Sequence, residues 1–378
     1  MAQDTAPAPE APPAPDQGTV APAPPAAPPA ASAPEPPSPA ITPPAQPAPE
    51  LASPPPDPLA EAPRLMLPLE CELGLTCDFQ NLVDHDPGPG TRDFQCGPLT
   101  YDGHMGTDIR VPDLAAMEAG VTVRAAAAGR VLRRRDGMAD NDLAPLPVAS
   151  GQDARDCGNG VLLDHGGGWQ TQYCHMARGS VSVRAGDELP AGAPLGRVGL
   201  SGRTEFPHLH FSVTYKGQEV DPFSPTDVAQ CPLVALPEGQ PAPAATEPAP
   251  TLWEPPLRPR PGGFMRLGFS TALPELDQLR RGGVALKALP ADAPALVLWG
   301  FGFAARGGDE VLLRIDGPDG PLVDRRMPVE APQAQFFRAA GLKREGEAWP
   351  PGPYTGLVEL WRQGKRIDSG TLRIDLDQ

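Results

Sequence analysis

The sequence predicts a mainly β protein with two folded β domains and a disordered Pro/Ala-rich N-terminal tether. Its 378 residues exceed the usual size of one domain. Strand-length apolar runs separated by Gly and Pro fill two stretches, whereas only residues 113–119 of the first stretch have a helical pattern. Pro-rich segments flank the first stretch. We therefore divide the chain into a tether (1–64), a first domain (65–232), a linker (233–262) and a second domain (263–378).

The tether is rich in proline and carries mainly acidic charges. Of 55 prolines, 23 fall in residues 1–63, which contain no aromatic residue, Lys or Arg. Such a segment cannot bury enough apolar surface to offset its ordering entropy, so we expect an extended, polyproline II-like chain. The formal net charge of the whole chain is −16. This sign argues against nucleic acid or anionic lipid as a partner.

The cysteine pattern indicates an oxidising compartment. None of the six cysteines forms a C-x-x-C pair, so disulfides are favoured over a zinc ribbon or a thioredoxin-like motif. Cys157 and Cys174 flank a predicted hairpin of residues 160–165 and 169–174, and we expect them to pair. No run of about 18 apolar residues predicts a membrane span. We expect a mature exported form, periplasmic or secreted, in which Met1 replaces a removed signal peptide.

The second domain has the pattern of a small immunoglobulin-like β-sandwich. Alternating runs at 295–303, 310–315, 354–361 and 371–376 are separated by Gly and Pro turns. Gln363-Gly364-Lys365 predicts a tight turn between the last two strands. This domain contains no His and no Cys. We therefore interpret it as an accessory binding or spacing module, through which an envelope protein partner could bind.

Histidine supplies the functional signal of the first domain. All six histidines lie there: His85, His104, His165, His175, His208 and His210. In a strand, His208 and His210 would project from one face with Cα atoms about 7 Å apart, and Leu209 would point to the opposite, apolar side. Pro207 fits at the start or edge of a strand. The pair is either half of a metal site or two ordinary surface histidines.

A second group, His104-Met-Gly-Thr-Asp108, also has metal-ligand character. In a straight strand its ends would lie about 13 Å apart, too far to share an ion. Gly106 permits a bend that brings them together. His104, Asp108 and His210 then form three N and O ligands, and three ligands with one open position are typical of catalytic zinc. His208 lies beside the metal without binding it, and His175 is a further candidate.

These motifs resemble those of the lysostaphin and LytM-type zinc endopeptidases, which cleave peptide bonds of bacterial peptidoglycan. The order is H-x-G-x-D at 104–108, Y-x-H at 173–175 and P-H-L-H-F at 207–211. Segments 120–131 and 186–199 resemble the strands that follow the first motif and precede the last. The resemblance covers roughly residues 100–222.

The resemblance implies a fold, a cofactor and a reaction. The fold would be a small, mostly antiparallel β-barrel or folded sheet. One Zn²⁺ would lie on His104, Asp108 and His210, and His175 and His208 would assist a metal-activated water. The substrate would be the peptide stems of peptidoglycan, with a D-alanyl to diaminopimelate cross-link expected in a periplasm.

The chain departs from the family pattern in several places. Glu205-Phe206 replaces small residues before P-H-L-H, and Ser212 replaces a frequent acid. Residues 138–156 form an insertion that we expect to act as a flap, and the role of the cysteine-rich segment 71–96 is open.

Two histidines and two other functions complete the sequence-based picture. We expect His165 to make a structural hydrogen bond at a hairpin tip, and His85 to lie in a loop. A non-catalytic or autoinhibited regulator of another wall hydrolase, and an envelope scaffold with incidental zinc, remain alternatives to the enzyme.

Overall fold

A computed structural model describes residues 58–143, 155–226 and 251–376 of the chain. These ranges belong to one compact unit, Pro56–Gln378. We call the described residues before 263 the first region and those from 263 onward the second region. Parts of three predicted segments lie outside the description: the tether up to residue 57, residues 144–154 of the insertion, and residues 227–250, which include most of the linker. No described helix is long and apolar enough to cross a membrane.

The first region is built around one antiparallel sheet of eight strands. Its spatial order is β1-β2-β9-β6-β5-β4-β7, and β10 pairs with β9. The strands are β1 (Asp78–Asn81), β2 (Thr107–Arg110), β4 (Gly129–Arg135), β5 (Asn159–Gly166), β6 (Trp169–Met176), β7 (Glu188–Leu189), β9 (His208–Tyr215) and β10 (Gln218–Glu219). A separate ribbon joins β3 (Thr122–Arg124) to β8 (Pro194–Arg197).

Helical structure is scarce here. The region contains a 3₁₀ turn at Pro58–Glu61 and the helix α1 (Leu114–Ala119). The Asp113 side chain caps α1 by accepting a hydrogen bond from the Ala116 backbone N–H, as expected for an Asp at this position. The predicted helix is therefore confirmed.

Alternation along β9 separates an apolar face from a polar face. Leu209, Phe211 and Val213 are fully buried in the first hydrophobic core, whereas His208 and His210 project from the other side. Pro207 directly precedes the strand, so it removes no hydrogen bond from the sheet. Leu252 and Trp253, from the end of the predicted linker, also pack into this core.

The second region consists of two packed antiparallel sheets and one short helix. The three-stranded sheet contains β11 (Gly263–Ser270), β12 (Ala295–Ala305) and β15 (Gln333–Lys343), in that order. The four-stranded sheet has the order β14-β13-β16-β17, formed by β13 (Glu310–Gly317), β14 (Gly320–Pro328), β16 (Pro353–Arg362) and β17 (Lys365–Asp375). The helix is α2 (Leu276–Arg281). The mainly β class and the additional β domain are confirmed.

Apolar residues of both sheets form the second core. Leu298 of the three-stranded sheet and Leu313 and Val358 of the four-stranded sheet are completely buried in this core. The predicted turn at 363–364 joins β16 to β17, and both of its residues have positive φ, 50° for Gln363 and 73° for Gly364. The sequence pattern did not identify β11, β14 or β15. In β14 and β15, exposed and half-buried residues break the alternation.

Two disulfides join parts of the first region. Cys157 bonds to Cys174, as predicted, and Cys71 bonds to Cys77. Cys96 is not free, and Cys231 lies outside the described residues.

Candidate metal centre

The candidate site lies where β2 and β9 pair in the middle of the sheet. Asp108 on β2 is directly opposite His210 on β9, and Arg110 is opposite His208. Cross-strand neighbours have Cβ atoms about 4.5–5.5 Å apart, so the register alone brings the Asp108 and His210 side chains together.

His104 reaches the same point from the loop that precedes β2. Its backbone N–H donates to the Tyr101 carbonyl at 3.0 Å, and its carbonyl accepts from the Asp84 backbone N–H at 2.8 Å. These bonds turn the chain so that the His104 ring lies over the start of β2. The predicted meeting of residues 104 and 108 therefore arises because His104 stands outside the strand.

Gly106 is required for a reason that differs from the predicted one. It does not have a positive φ. A Cβ at this position would lie 2.6 Å from His210 Cε1 and 2.7 Å from His210 Nε2, far inside normal contact distance. The glycine therefore leaves room for the His210 ring rather than providing unusual backbone freedom.

Three acceptor atoms of the predicted ligands converge on one point. His104 Nε2 lies 3.2 Å from both Asp108 Oδ1 and His210 Nδ1, and His210 Nδ1 lies 2.8 Å from Asp108 Oδ1. A tetrahedral zinc with bonds of about 2.0–2.1 Å would have ligand atoms about 3.3 Å apart. The three residues therefore fit a metal ion of this size and geometry.

Neighbouring groups fix the orientation of two of these ligands. His104 Nδ1 donates to the Leu82 carbonyl at 2.7 Å, which leaves the Nε2 lone pair facing the centre. The Asn81 side-chain amide donates to Asp108 Oδ2 at 2.8 Å, which turns Oδ1 toward the histidines. The sequence alone does not point to Asn81, because only the pairing of β1 with β2 brings it to Asp108.

His175 and His208 complete the cluster. His175 Nδ1 donates to the Ser201 carbonyl at 2.9 Å, and His208 Nδ1 donates to the Phe206 carbonyl at 2.8 Å. The Nε2 atoms of both rings are therefore free to accept hydrogen bonds. His208 Nε2 lies 3.3 Å from Asp108 Oδ1. The ring centroids of His175 and His208 are 4.8 Å apart. Both rings are buried.

His210 belongs to two possible sets of ligands. His104, Asp108 and His210 form one, and His175, His208 and His210 form the other; within each set all ligand atoms lie within 4.8 Å of one another. The first set contains the single carboxylate of the cluster and the shorter distances.

The backbone holds His175 in an uncommon conformation. Its φ of 61° lies in the left-handed region, which non-glycine residues seldom adopt. Its backbone N–H donates to the Cys157 carbonyl at 2.8 Å, and the Cys157–Cys174 disulfide closes this turn next to it. The disulfide therefore fixes the segment that carries the His175 ring.

Burial and mutual charge shift the titration of these groups. Burial would raise the pKa of Asp108, but positive charge on His104 and His208 holds this pKa well below its usual value. Burial lowers the pKa of His104, yet the neighbouring Asp108 carboxylate outweighs it, so that this pKa is raised. The pKa of His175 lies well below the usual value because of burial and then the charges of His208 and His210. The buried Asp108 carboxylate therefore stays ionised and would stabilise a cation beside it.

Aromatic rings border the cluster at two points. The Phe206 ring stacks on His208 with centroids 4.3 Å apart, and the Arg110 guanidinium lies 5.1 Å from the Phe206 centroid. Tyr101, which is 51% exposed, lies 4.4 Å from the His104 ring. Phe206, one of the departures from the family pattern, therefore contacts the site directly.

The two remaining histidines have structural roles, as predicted. His165 Nδ1 donates to the Ala128 carbonyl at 2.7 Å, and its Nε2 lies 2.8 Å from the Thr171 hydroxyl. His85 lies in a loop with Nε2 2.8 Å from Asp221 Oδ2. Neither belongs to a cluster of metal-ligating side chains in the described residues.

Comparison with known proteins agrees with this geometry. Residues 102–222 match the sequence profile of Peptidase family M23. The cell division protein DipM of Caulobacter vibrioides is 34% identical over 108 residues, 26% of this chain and 17% of that protein. The DD-carboxypeptidase/endopeptidase Mpg of Neisseria meningitidis is 37% identical over 67 residues, 18% of this chain and 15% of that protein. The peptidoglycan DD-endopeptidase ShyA of Vibrio cholerae is 33% identical over 64 residues, 17% of this chain and 14% of that protein.

The similarity is thus confined to one part of each protein. The matches span less than a fifth of the length of these three relatives. Within this chain, however, the matched segment contains all five side chains of the cluster. The chain carries a domain of Peptidase family M23.

Proposed function

We propose that this protein is a zinc-dependent endopeptidase that hydrolyses peptide cross-links of bacterial peptidoglycan. The observation that carries the proposal is the convergence of His104 Nε2, Asp108 Oδ1 and His210 Nδ1 within 3.2 Å of one another. Three such acceptor atoms side by side repel one another unless a proton or a metal ion lies between them.

Zinc and the two other histidines would divide the chemistry. When bound, zinc would act as a Lewis acid that lowers the pKa of water to roughly 7 and polarises the scissile carbonyl. The free Nε2 atoms of His175 and His208 face the same space. One of them accepts a proton as the water oxygen attacks the carbonyl carbon, and this proton passes to the leaving amine as the C–N bond breaks.

The second histidine stabilises the developing oxyanion by donating a hydrogen bond in its protonated form. Hydrogen bonding and burial do not distinguish the two rings, since both leave Nε2 free and both are buried. The lowered pKa of His175 disfavours its protonated form, which favours His175 as the proton acceptor and His208 as the donor to the oxyanion. They are the catalytic residues of this proposal, and His104, Asp108 and His210 are its metal ligands.

The names of the relatives support peptidoglycan as the proposed substrate, and the disulfides support an oxidising compartment. Mpg is named as a DD-carboxypeptidase/endopeptidase, and ShyA as a peptidoglycan DD-endopeptidase. The Cys71–Cys77 and Cys157–Cys174 disulfides suit an oxidising location, so we place the protein in the periplasm or outside the cell. A D-alanyl to diaminopimelate cross-link is the bond we propose.

We also propose the domain division stated above: 1–64, 65–232, 233–262 and 263–378. The buried members of the two hydrophobic cores lie on either side of residue 263, which supports the last boundary. The 263–378 domain would act as an accessory binding or spacing module beside the peptidase domain. An envelope protein partner would bind to its surface.

The test is a digest of defined wall fragments by the purified chain. Cross-linked dimers are incubated with zinc-loaded protein, with and without a chelator, and the products are identified by mass. We expect conversion of dimers to monomers that the chelator abolishes and added zinc restores.

Two variants separate metal binding from catalysis. His210→Ala should lose both bound zinc and cleavage, because His210 belongs to both possible ligand sets. His208→Ala should keep most of its zinc and lose turnover by about 10²–10⁴-fold. Full activity of the His208 variant would refute its catalytic role. Wild-type protein that retains zinc but cuts no fragment would favour the non-catalytic regulator instead.

A further inference from the structure

A groove lies between the loop that contains Glu205 and the second region. It has a volume of about 470 Å³ and is lined by Glu205 on one side, and by Leu276, Arg280 and residues 333–338 on the other. Its walls therefore come from a loop of the peptidase domain, from α2 and from the first half of β15.

The groove begins next to the catalytic cluster. Glu205 precedes Phe206, whose ring stacks on His208 with a centroid distance of 4.3 Å. The Arg280 guanidinium donates a hydrogen bond to the Glu205 carbonyl, which holds this loop against the second region. The wall formed by Glu205 is therefore one residue away from the ring that contacts His208.

One wall is a strand that can receive an extended peptide. β15 hydrogen-bonds to β12 on one side and lies at the edge of its sheet. No other described strand pairs with β15, and its Ala334 carbonyl accepts a hydrogen bond from the Gln80 side-chain amide at 3.4 Å. Edge strands bind extended peptides through backbone hydrogen bonds.

The arginine charges in the groove are only partly offset, since burial lowers the pKa of Arg338 and outweighs the Glu330 carboxylate, which raises it. Among the described residues, neither Arg280 nor Arg338 forms an ion pair with a carboxylate. Arg280 Nε is buried without a hydrogen-bond partner, and Arg338 donates only to Gln333 and to the Phe337 and Pro328 carbonyls. Glu205 is exposed and forms no ion pair with another residue that the structure describes.

We infer that this groove is a binding site for the peptide stem of the substrate beyond the scissile bond, an extended peptide that carries free carboxylates and an amino group. The inference rests on the proposed function. Arg280 and Arg338 bind stem carboxylates, Glu205 faces the amino group, and the β15 edge binds the stem backbone. The second region thereby contributes directly to substrate recognition.

Equilibrium binding of a stem that contains no cross-link tests the site without catalysis. The probe is the free tetrapeptide stem, compared with the same peptide whose carboxylates are amidated, and each is titrated into the zinc-loaded full chain by calorimetry. We expect Arg338→Gln and Arg280→Gln each to weaken binding of the free stem about tenfold. The amidated stem should bind wild type and both variants equally weakly.

Three controls make the result specific. Arg325→Gln removes an exposed arginine of β14 that does not line the groove and should leave binding unchanged. Arg338→Lys keeps the charge and should restore part of the affinity. In dimer cleavage, the two glutamine variants should raise KM about tenfold at unchanged kcat.

The outcomes distinguish this inference from the proposed function. If dimers are cleaved but the wild type does not bind the stem, or both glutamine variants bind it as tightly as wild type, the groove is not a stem site and the peptidase stands. If the stem binds and the variants weaken it while no dimer is cleaved, the groove stands and the proposed activity fails.

Discussion

The two β regions differ in one buried carboxylate, Asp108, since the first region also pairs buried acids such as Asp78 and Asp113 with arginines. In the second region, the buried carboxylates are paired: Asp309 with Arg362 at 2.8 Å, and Glu359 with Arg366 at 3.0 Å. In the first region, the buried Asp108 faces three imidazole nitrogens at 2.8–3.3 Å and no Lys or Arg among the described residues.

This difference shows where the fold serves stability and where it serves chemistry. Unmatched buried charge is costly, so a chain that only needs to fold pairs or removes it. The first region concentrates acceptor atoms at a single point of its sheet, which lowers stability unless a cation binds there. The second region pairs its buried acids Asp309 and Glu359 with its own arginines. Substitutions should therefore affect metal binding in one region and unfolding in the other.

The largest effect is expected from Gly106→Ala. The new Cβ would meet His210 Cε1 at 2.6 Å and Nε2 at 2.7 Å, so the ring must leave its place beside Asp108. We expect loss of most bound zinc and a fall in dimer cleavage on the order of 10³-fold, as for removal of a ligand. Zinc content after gel filtration and the cleavage rate measure this.

Gly283→Ala is the matched control. Gly283, in the second region, has no positive φ and no atom within 4 Å of an added Cβ. It should retain zinc, cleavage and thermal stability. Normal zinc content in Gly106→Ala would mean that the His210 ring does not occupy the position that makes it a ligand.

Histidine spacing identified the cluster because each motif is local. His208 and His210 share a face through strand periodicity, and residues 104 and 108 are joined by one short turn. The meeting of these two motifs required the β2–β9 register, which the sequence alone indicates only through its resemblance to a known family. The reason for Gly106 also lay in that register, because the atom it must avoid belongs to a residue 104 positions away.

The next effect concerns the second core. Leu313→Ala empties a fully buried position between the two sheets and should lower the free energy of unfolding by about 2–5 kcal/mol. Zinc affinity should be unchanged, because Leu313 belongs to the core that does not support the site. Chemical denaturation followed by tryptophan fluorescence and a zinc competition assay measure both.

Leu322→Ala serves as control, since Leu322 is 40% exposed and its loss should cost much less. A parallel decline of zinc affinity and stability in Leu313→Ala would indicate that the two regions are energetically one, which contradicts their division into separate domains.

A smaller effect is expected for Asn81→Ala. Without the amide that holds Oδ2 at 2.8 Å, the Asp108 carboxylate can rotate away from the histidines. Loss of such an orienting bond typically costs 10- to 100-fold in metal affinity. The control is Gln170→Ala, a half-buried position on β6, which should bind zinc as wild type does. If Asn81→Ala binds zinc as tightly as wild type does, Asn81 does not orient the Asp108 ligand.

Asn81 and Arg280 mark the limit of sequence-based reasoning. Both are single polar residues without a motif, and they matter only because of what tertiary pairing places opposite them. Asn81 meets Asp108 through β1–β2 pairing, and Arg280 meets the Glu205 carbonyl through contact between the regions. Helix α2 carries Arg280, and its six residues are too few for a periodic apolar pattern.

The smallest effect concerns Glu219 of β10, a half-buried acid in the first region. Burial, and then the nearby Asp221, raise the pKa of Glu219 to about 8, and its Oε1 is buried without a hydrogen-bond partner. In the unfolded chain this carboxyl titrates near the ordinary glutamate pKa of 4.5. Its contribution to stability is therefore greatest below pH 4.5 and is lost as the pH rises from about 4.5 to about 8.

Glu219→Gln should raise the free energy of unfolding at pH 8.5 by about 1–3 kcal/mol and leave it unchanged at pH 4. Glu359→Gln should have the opposite sign at pH 8.5, because its carboxylate bonds to Arg366 and the Trp361 indole N–H. Glu118→Gln, at an exposed position of α1, controls for the loss of one negative charge. Thermal melts across pH 4–9 compare the three. Destabilisation by Glu219→Gln at pH 8.5, in the same direction as Glu359→Gln, would mean that the Glu219 carboxylate has a stabilising partner in the folded protein.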